Sequence, residues 1–170
     1  MKELLASIEG LRRIGFRGFR SVESLRADQC RSVPGVPGVY VVVAAPGFEP
    51  RFLAKGTGPA RFGTRRLNYG IDSLRRRWVE DAAVLYIGKA GGTKSDRTLK
   101  DRVLELIRYG QGDSVPHRGG RSIWQLRNTE KLRVCWRTAV DRNPREYEKR
   151  LIRDFRAAYE GHRPFANLRD

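Results

Sequence analysis

Gly38-Val39-Tyr40-Val41-Val42-Val43 follows a punctuated stretch, Pro34, Gly35 and Pro37, and is the clearest strand in the chain. Valine carries two heavy atoms on Cβ and is stiff at χ1, which disfavours a helix here. A second apolar run, Ala83 to Ile87, ends at Gly88, which the pattern marks as a turn. A third, Leu132 to Thr138, alternates Leu132, Val134 and Trp136 with Arg133, Cys135 and Arg137, the period of a strand with one wetter face. Two helices flank that third strand. The first, about Arg97 to Tyr109, sets Leu99, Val103, Leu106 and Ile107 on one stripe; Arg102 falls on its border, and Asp101, Glu105 and Arg108 point away. The second starts at Asn143-Pro144-Arg145-Glu146, an N-cap, a proline in the first helical position and a glutamate placed to close a capping box. It runs to about Tyr159 with Tyr147, Leu151, Phe155 and Ala158 as its apolar stripe. These elements predict an α+β fold: a small three-stranded antiparallel sheet flanked by helices, one domain over residues 1–170, with a lead-in at 1–36 and a basic insertion at 45–83.

The charge names the class of partner. The chain has 35 Lys and Arg against 19 Asp and Glu, a formal +16 over 170 residues. A field of that sign speeds encounter with a polyanion, and each phosphate neutralised releases condensed counterions. A membrane surface is the rival polyanion, but no membrane partner is expected, since no apolar run approaches the roughly 20 residues a spanning helix needs and the opening Met1-Lys2-Glu3-Leu4-Leu5 has too short an apolar core for a secretory signal. Cys30 and Cys135 are far apart with no C-x-x-C partner, which excludes a disulfide framework and a zinc knuckle and fits a reducing cytoplasm.

The lead-in carries Leu4, Leu5, Ile8 and Leu11 at helical spacing and a basic aromatic cluster, Arg13, Phe16, Arg17, Phe19 and Arg20, which reads either as a nucleic-acid arm or, preferred here, as phenylalanines that plug it against the core. The insertion contains Arg61, Arg65, Arg66, Arg75, Arg76 and Arg77. A connection this long normally carries structure of its own, either a flap over phosphates or a solvated basic face.

Taken in order, Gly38-Val39-Tyr40, Tyr86-Ile87-Gly88, Arg102, Glu148 and Asn167 form a set that resembles the GIY-YIG endonucleases, a family named for two such tripeptides on neighbouring strands. The resemblance runs from about Pro37 onward. Either tripeptide alone is a weak signal; the ordered five, with Pro164-Phe165-Ala166-Asn167 at the end, is specific. It implies a metal-dependent nuclease. Glu148 lies within the apolar arc of its helix, where an unpaired carboxylate costs several kcal/mol unless a cation meets it. The family's equivalent helix glutamate holds one divalent ion, so Glu148 is the expected ligand of Mg²⁺ or Mn²⁺; a buried salt bridge to an arginine is the other reading.

Phosphodiester hydrolysis needs charge neutralised on the pentavalent phosphate, an activated water in line and a stabilised leaving oxygen. Arg102, matching the family's helix arginine, would clamp a nonbridging oxygen with its fork of donors. Tyr40 and Tyr86 would orient or activate the water, a role that requires their ordinary pKa near 10 to be lowered. Lys89, directly after the second tripeptide, would supply that electrostatic help or take the proton. Asn167 would lock the site. Some relatives carry a histidine one turn after the helix arginine; Leu106 stands there in this chain, and His117, flanked by Arg118 and Arg121 beside a Gly-Gly turn, is the candidate substitute.

Gly88-Lys89-Ala90-Gly91-Gly92-Thr93-Lys94-Ser95 nearly spells a phosphate-binding loop, but Thr93 stands where the motif needs its second glycine, which argues against an NTPase. The expected function is an endonuclease that cuts DNA, of restriction or genome-defence type, acting as a monomer or homodimer. Arg65, Arg66, Arg75, Arg76, Arg77, Arg118 and Arg121 are the expected contacts to double-stranded DNA. The alternative is a basic protein that binds nucleic acid, RNA included, without cutting it.

Overall fold

The computed structural model describes residues 2–92, 95–115, 117, 119–138 and 143–168. In chain order these form α1 (Lys2–Leu5), α2 (Ile8–Arg13), β1 (Arg17–Ser21), α3 (Val22–Ala27), β2 (Gly38–Val43), β3 (Arg61–Phe62), β4 (Arg65–Arg66), α4 (Ile71–Arg77), β5 (Val84–Ala90), α5 (Leu99–Gly110), β6 (Arg133–Arg137) and α6 (Pro144–Ala158). Two short 3₁₀ turns lie between α5 and β6.

The sheet has four antiparallel strands in the order β1-β6-β2-β5, not the three that the apolar runs predict. The extra strand comes from the lead-in. It escapes pattern reading because Gly18 (φ 91) and Phe19 (φ 51) take left-handed backbone and the register slips between Arg17 and Arg20, so Arg17 to Ser21 buries only Phe19 and shows no alternation. Phe16 and Phe19 do pack into the core.

Side chains alternate across β2 because the strand period is two. Tyr40 and Val42, with Tyr86, Val134 and Trp136, face α5, whose Leu99, Val103, Leu106 and Ile107 are all buried against them. Val39, Val41 and Val43, with Ile87 and Cys135, face Leu151, Ile152 and Phe155 of α6. Helices therefore cover both faces, and every residue of β2 is buried. The wetter face expected for β6 is limited to Arg133 and Arg137, for Cys135 is shut under α6.

Gly88 is a correction of a different kind. It does not end β5, which continues through Lys89 to Ala90; it pairs with Tyr40 in mid-ladder. The glycine that reads as a turn serves close approach instead. Similarly, Asn143 caps α6 through Arg145 N–H, but Glu146 is exposed and makes no capping-box bond among the described residues. The capping box belongs to α5, between Thr98 and Asp101.

The insertion is fastened to the core. Phe48, Phe52, Tyr69 and Trp78 pack against the α5 side, and the buried side chain of Gln125 accepts from Tyr69 N–H at 2.8 Å and donates to Leu53 O and Tyr69 O at 3.0 and 2.9 Å. Its tip is the hairpin β3–β4, exposed throughout. No helix among the described residues is long and apolar enough to cross a membrane.

Candidate active site

Antiparallel pairing of β2 with β5 sets Tyr40 opposite Gly88 and Tyr86 opposite Val42, so the two tyrosines are diagonal neighbours on one face. Their ring centroids are 5.9 Å apart at a 59° tilt. Both phenols are buried, and each is crowded by a glycine. A Cβ on Gly88 would fall 2.5 Å from Tyr40 Cζ, and one on Gly119 would strike the Tyr86 hydroxyl. Their hydroxyls are near enough to perturb each other's ionisation but fall short of hydrogen-bond geometry, so Tyr40 Oη has no partner among the described residues.

Burial sets the ionisation of the pair. It pushes Tyr40 well above the ordinary phenol value, with the neighbouring Tyr86 adding to the rise, and pushes Tyr86 up to about 12. The Arg102 charge opposes burial at both rings without overcoming it. In the protein alone the phenols thus hold their protons at neutral pH, and any lowering has to come from a further cation.

Arg102 lies on α5 at the edge of the apolar stripe, half-buried. Its Nη1 donates to Glu105 Oε2 at 2.5 Å, and Arg97 joins the same carboxylate. Glu105 does not point away as helical spacing suggests; it is 8% exposed, held between the two guanidinia. The available signal was the i, i+3 relation to Arg102, which places opposite charges side by side on a helix. A buried carboxylate here fixes one face of the guanidinium while its charge still reaches Tyr40, Tyr86, His117 and Glu148.

Glu148 sits on α6, half-buried. Burial raises its pKa to about 7, and Lys89, Arg102, Arg145 and Lys149 pull against that rise. None of the ion pairs among the described residues involves Glu148, so the salt-bridge reading of this carboxylate finds no support there. Lys89, on the α6 side of β5 where Gly88 and Tyr86 face α5, is the strongest cationic influence on it.

Asn167 clasps the edge strand. Its Oδ1 accepts from Ile87 N–H and its Nδ2 donates to Ile87 O, both at 2.9 Å, while Ala166 N–H bonds Leu85 O at 2.9 Å. The C-terminal segment thereby pairs the open side of β5, the strand that carries Tyr86. His117 stands against Tyr86 at 6.2 Å between ring centroids. It is 2% exposed, and burial, with the Arg102 charge in second place, lowers its pKa to about 3.

Tyr40, Tyr86, Arg102, Glu148, Lys89, Asn167 and His117 are therefore brought to one neighbourhood by four elements and two loops. The described arginines named for DNA are divided between the exposed insertion surface and the Tyr69 ring. Arg65, Arg66, Arg75 and Arg76 are exposed on the insertion, with Arg75 paired to Asp72 at 3.3 Å. Arg77 lies over the Tyr69 ring at 4.0 Å, and Arg121 donates to the Tyr69 hydroxyl at 2.6 and 3.1 Å. Arg118 lies outside the described residues.

The donor set fits a hard divalent cation held by one carboxylate. Mg²⁺ keeps most of its shell as water and substrate phosphate and takes one or two protein carboxylates, and Glu148 is a carboxylate whose desolvation a cation would relieve. No cluster of three or more His, Cys, Asp or Glu side chains suited to a metal occurs among the described residues. Compared with known proteins, the chain matches no family model, no curated protein and no solved structure.

Proposed function

We infer that the protein is a metal-dependent endonuclease of the GIY-YIG type, cutting DNA phosphodiester bonds from the cytoplasm as a monomer or homodimer. The observation that carries the reading is the position of Glu148, a desolvated carboxylate outside every described ion pair yet electrically coupled to Tyr40, Tyr86, Lys89 and Arg102. A structural carboxylate would be expected to end in an ion pair, as Glu105 does. Glu148 would hold the divalent cation, which when bound would supply positive charge toward the leaving 3′ oxygen.

The chain's own groups divide the remaining work. Arg102, oriented by Glu105, presents donors to a nonbridging phosphate oxygen, where charge grows as the phosphorane forms. Tyr40 and Tyr86 hold their protons in the free protein and can orient a water by donating to it, or yield a proton once their environment gains positive charge. Lys89 holds positive charge beside Glu148. Asn167 keeps the strand that bears Tyr86 in register.

Purified protein incubated with supercoiled plasmid, in Mg²⁺ and in EDTA, tests the reading. Nicking that needs the metal and disappears in Glu148→Gln is expected. Salt-sensitive binding of plasmid or structured RNA with no cleavage under any divalent cation would replace it with the non-catalytic binder.

A further inference from the structure

Between the β3–β4 hairpin and the end of α5 lies a cavity of about 290 Å³, lined among others by Phe62, Arg65, Tyr109, His117 and Arg121. We propose that this cavity receives one unstacked nucleobase of the nucleic-acid substrate, with Phe62 as the wedge and stacking surface. The inference rests on the nucleic-acid part of the function above and not on hydrolysis.

Three features point to that occupant. The first is size, since ligand pockets run roughly 300–1,000 Å³ and this one, at the small end, suits a single planar heterocycle. The second is the chemistry of the lining, which matches a nucleotide part by part. Phe62 and Tyr109 offer aromatic surface for a base face, and Arg65 and Arg121 offer guanidinia to the attached phosphates. His117 offers a ring that is 2% exposed and whose two nitrogens find no partner among the described residues. A neutral imidazole presents one donor and one acceptor, the pattern that a base edge answers.

The third feature is exposure. Phe62 is 67% exposed at the tip of a hairpin whose neighbours Arg61, Arg65 and Arg66 are also exposed. An apolar side chain displayed among arginines is the arrangement by which proteins part stacked bases while gripping the backbone. The hairpin has a firm base, because Gln125 bonds the backbone on either side of it at Leu53 and Tyr69. His117 also stands against Tyr86, so the wall of the cavity adjoins the tyrosine pair.

Binding is measured in EDTA, where cleavage cannot interfere, on fluorescein-labelled DNA duplexes identical except at one position: fully paired, carrying one bulged thymine, or carrying an abasic bulge. A bulged base has already left the stack, so it escapes the unstacking cost. The thymine bulge should bind about tenfold tighter than the abasic bulge, which shares its bend but has no base to stack. Phe62→Ala should erase that difference and Phe62→Trp should keep it, both with unaltered melting since the position is exposed. Equal affinity for the two bulges in the wild-type protein, or a preference that persists in Phe62→Ala or vanishes in Phe62→Trp, would overturn the pocket. Metal-dependent plasmid nicking is scored separately. Nicking without the base preference removes the pocket and leaves the nuclease, whereas the preference without nicking leaves the pocket and removes hydrolysis.

Discussion

Tyr40 stands opposite Gly88 across the β2–β5 ladder, and its phenol fills the space in which any side chain at position 88 would begin. Gly88→Ala should therefore force the ring or the strand to move, costing about 1–3 kcal/mol, and should lower cleavage with it. Urea unfolding of the two proteins measures the first effect. A variant as stable as wild type would show that the ladder does not fix the tyrosine.

Removing the Tyr40 hydroxyl separates stability from chemistry. Because Oη is buried without a partner among the described residues, Tyr40→Phe should leave stability within about 1 kcal/mol of wild type or raise it. Plasmid nicking by the same preparation should fall to background. Full activity in the phenylalanine variant would take Tyr40 out of the reaction.

Glu148 should make the fold sensitive to pH. Its folded pKa of about 7 lies above the ordinary 4.5, so the carboxyl holds its proton more tightly folded than unfolded. Below the unfolded value both states are protonated and nothing is lost. As pH rises from about 4.5 to about 7 the native state loses on the order of 3 kcal/mol, and the loss then levels off. Thermal melts should show Glu148→Gln more stable than wild type near about pH 8 and equal to it near about pH 4, with Mg²⁺ closing the gap at the higher pH. Glu146→Gln should alter neither stability nor cleavage, since Glu146 is exposed and outside the α6 cap.

For Arg102, a point charge cannot reproduce the guanidinium fork, so Arg102→Lys should depress turnover by orders of magnitude with a modest loss of affinity. Glu105→Gln leaves the arginine present but less firmly oriented and should give a smaller fall, again in turnover. Single-turnover kinetics with filter binding distinguish the two. A loss confined to affinity would make the pair a binding element.

Among the insertion arginines named for DNA, Arg65, Arg66 and Arg76 are exposed and outside any described ion pair. Each phosphate contact contributes about 0.9 to the slope of log affinity against log salt, so replacing all three by alanine should flatten the slope by up to about 3. Arg77, stacked on Tyr69, should matter more for stability than for the slope. An unchanged slope would make the run a solvated face.

The strands and helices nearest the site were legible: β2 through its β-branched valines and the punctuation before it, α5 and α6 through their 3.6-residue stripes, and β6 through its alternation. β1 was not legible, since Gly18 and Phe19 adopt left-handed backbone that no apolar alternation announces. Gly88 carries the right residue for an unforeseen reason, a ring from the partner strand, and a linear reading sees only a turn former. Glu105 and Gln125 were missed because each is buried on account of partners brought by the fold, Arg97 ahead of α5 and Leu53 and Tyr69 in the insertion. The tyrosine pair, Arg102, Glu148 and Asn167 stood out as a set through the resemblance; that Glu148 lies outside the described ion pairs, and that Asn167 grips Ile87, needed coordinates.

The clasp of Asn167 on Ile87 joins positions 80 apart in sequence. Contacts of such separation close late, after local helices and hairpins have formed. During synthesis, β5 emerges from the ribosome long before its clasp does, and domains fold as the chain is extended. A nascent chain that has reached α6 holds Tyr40, Tyr86, Arg102 and Glu148 but leaves the outer edge of β5 open. Assembly of the candidate site is in this way timed by translation, and a chain interrupted before residue 166 would carry these side chains without the clasp on Ile87.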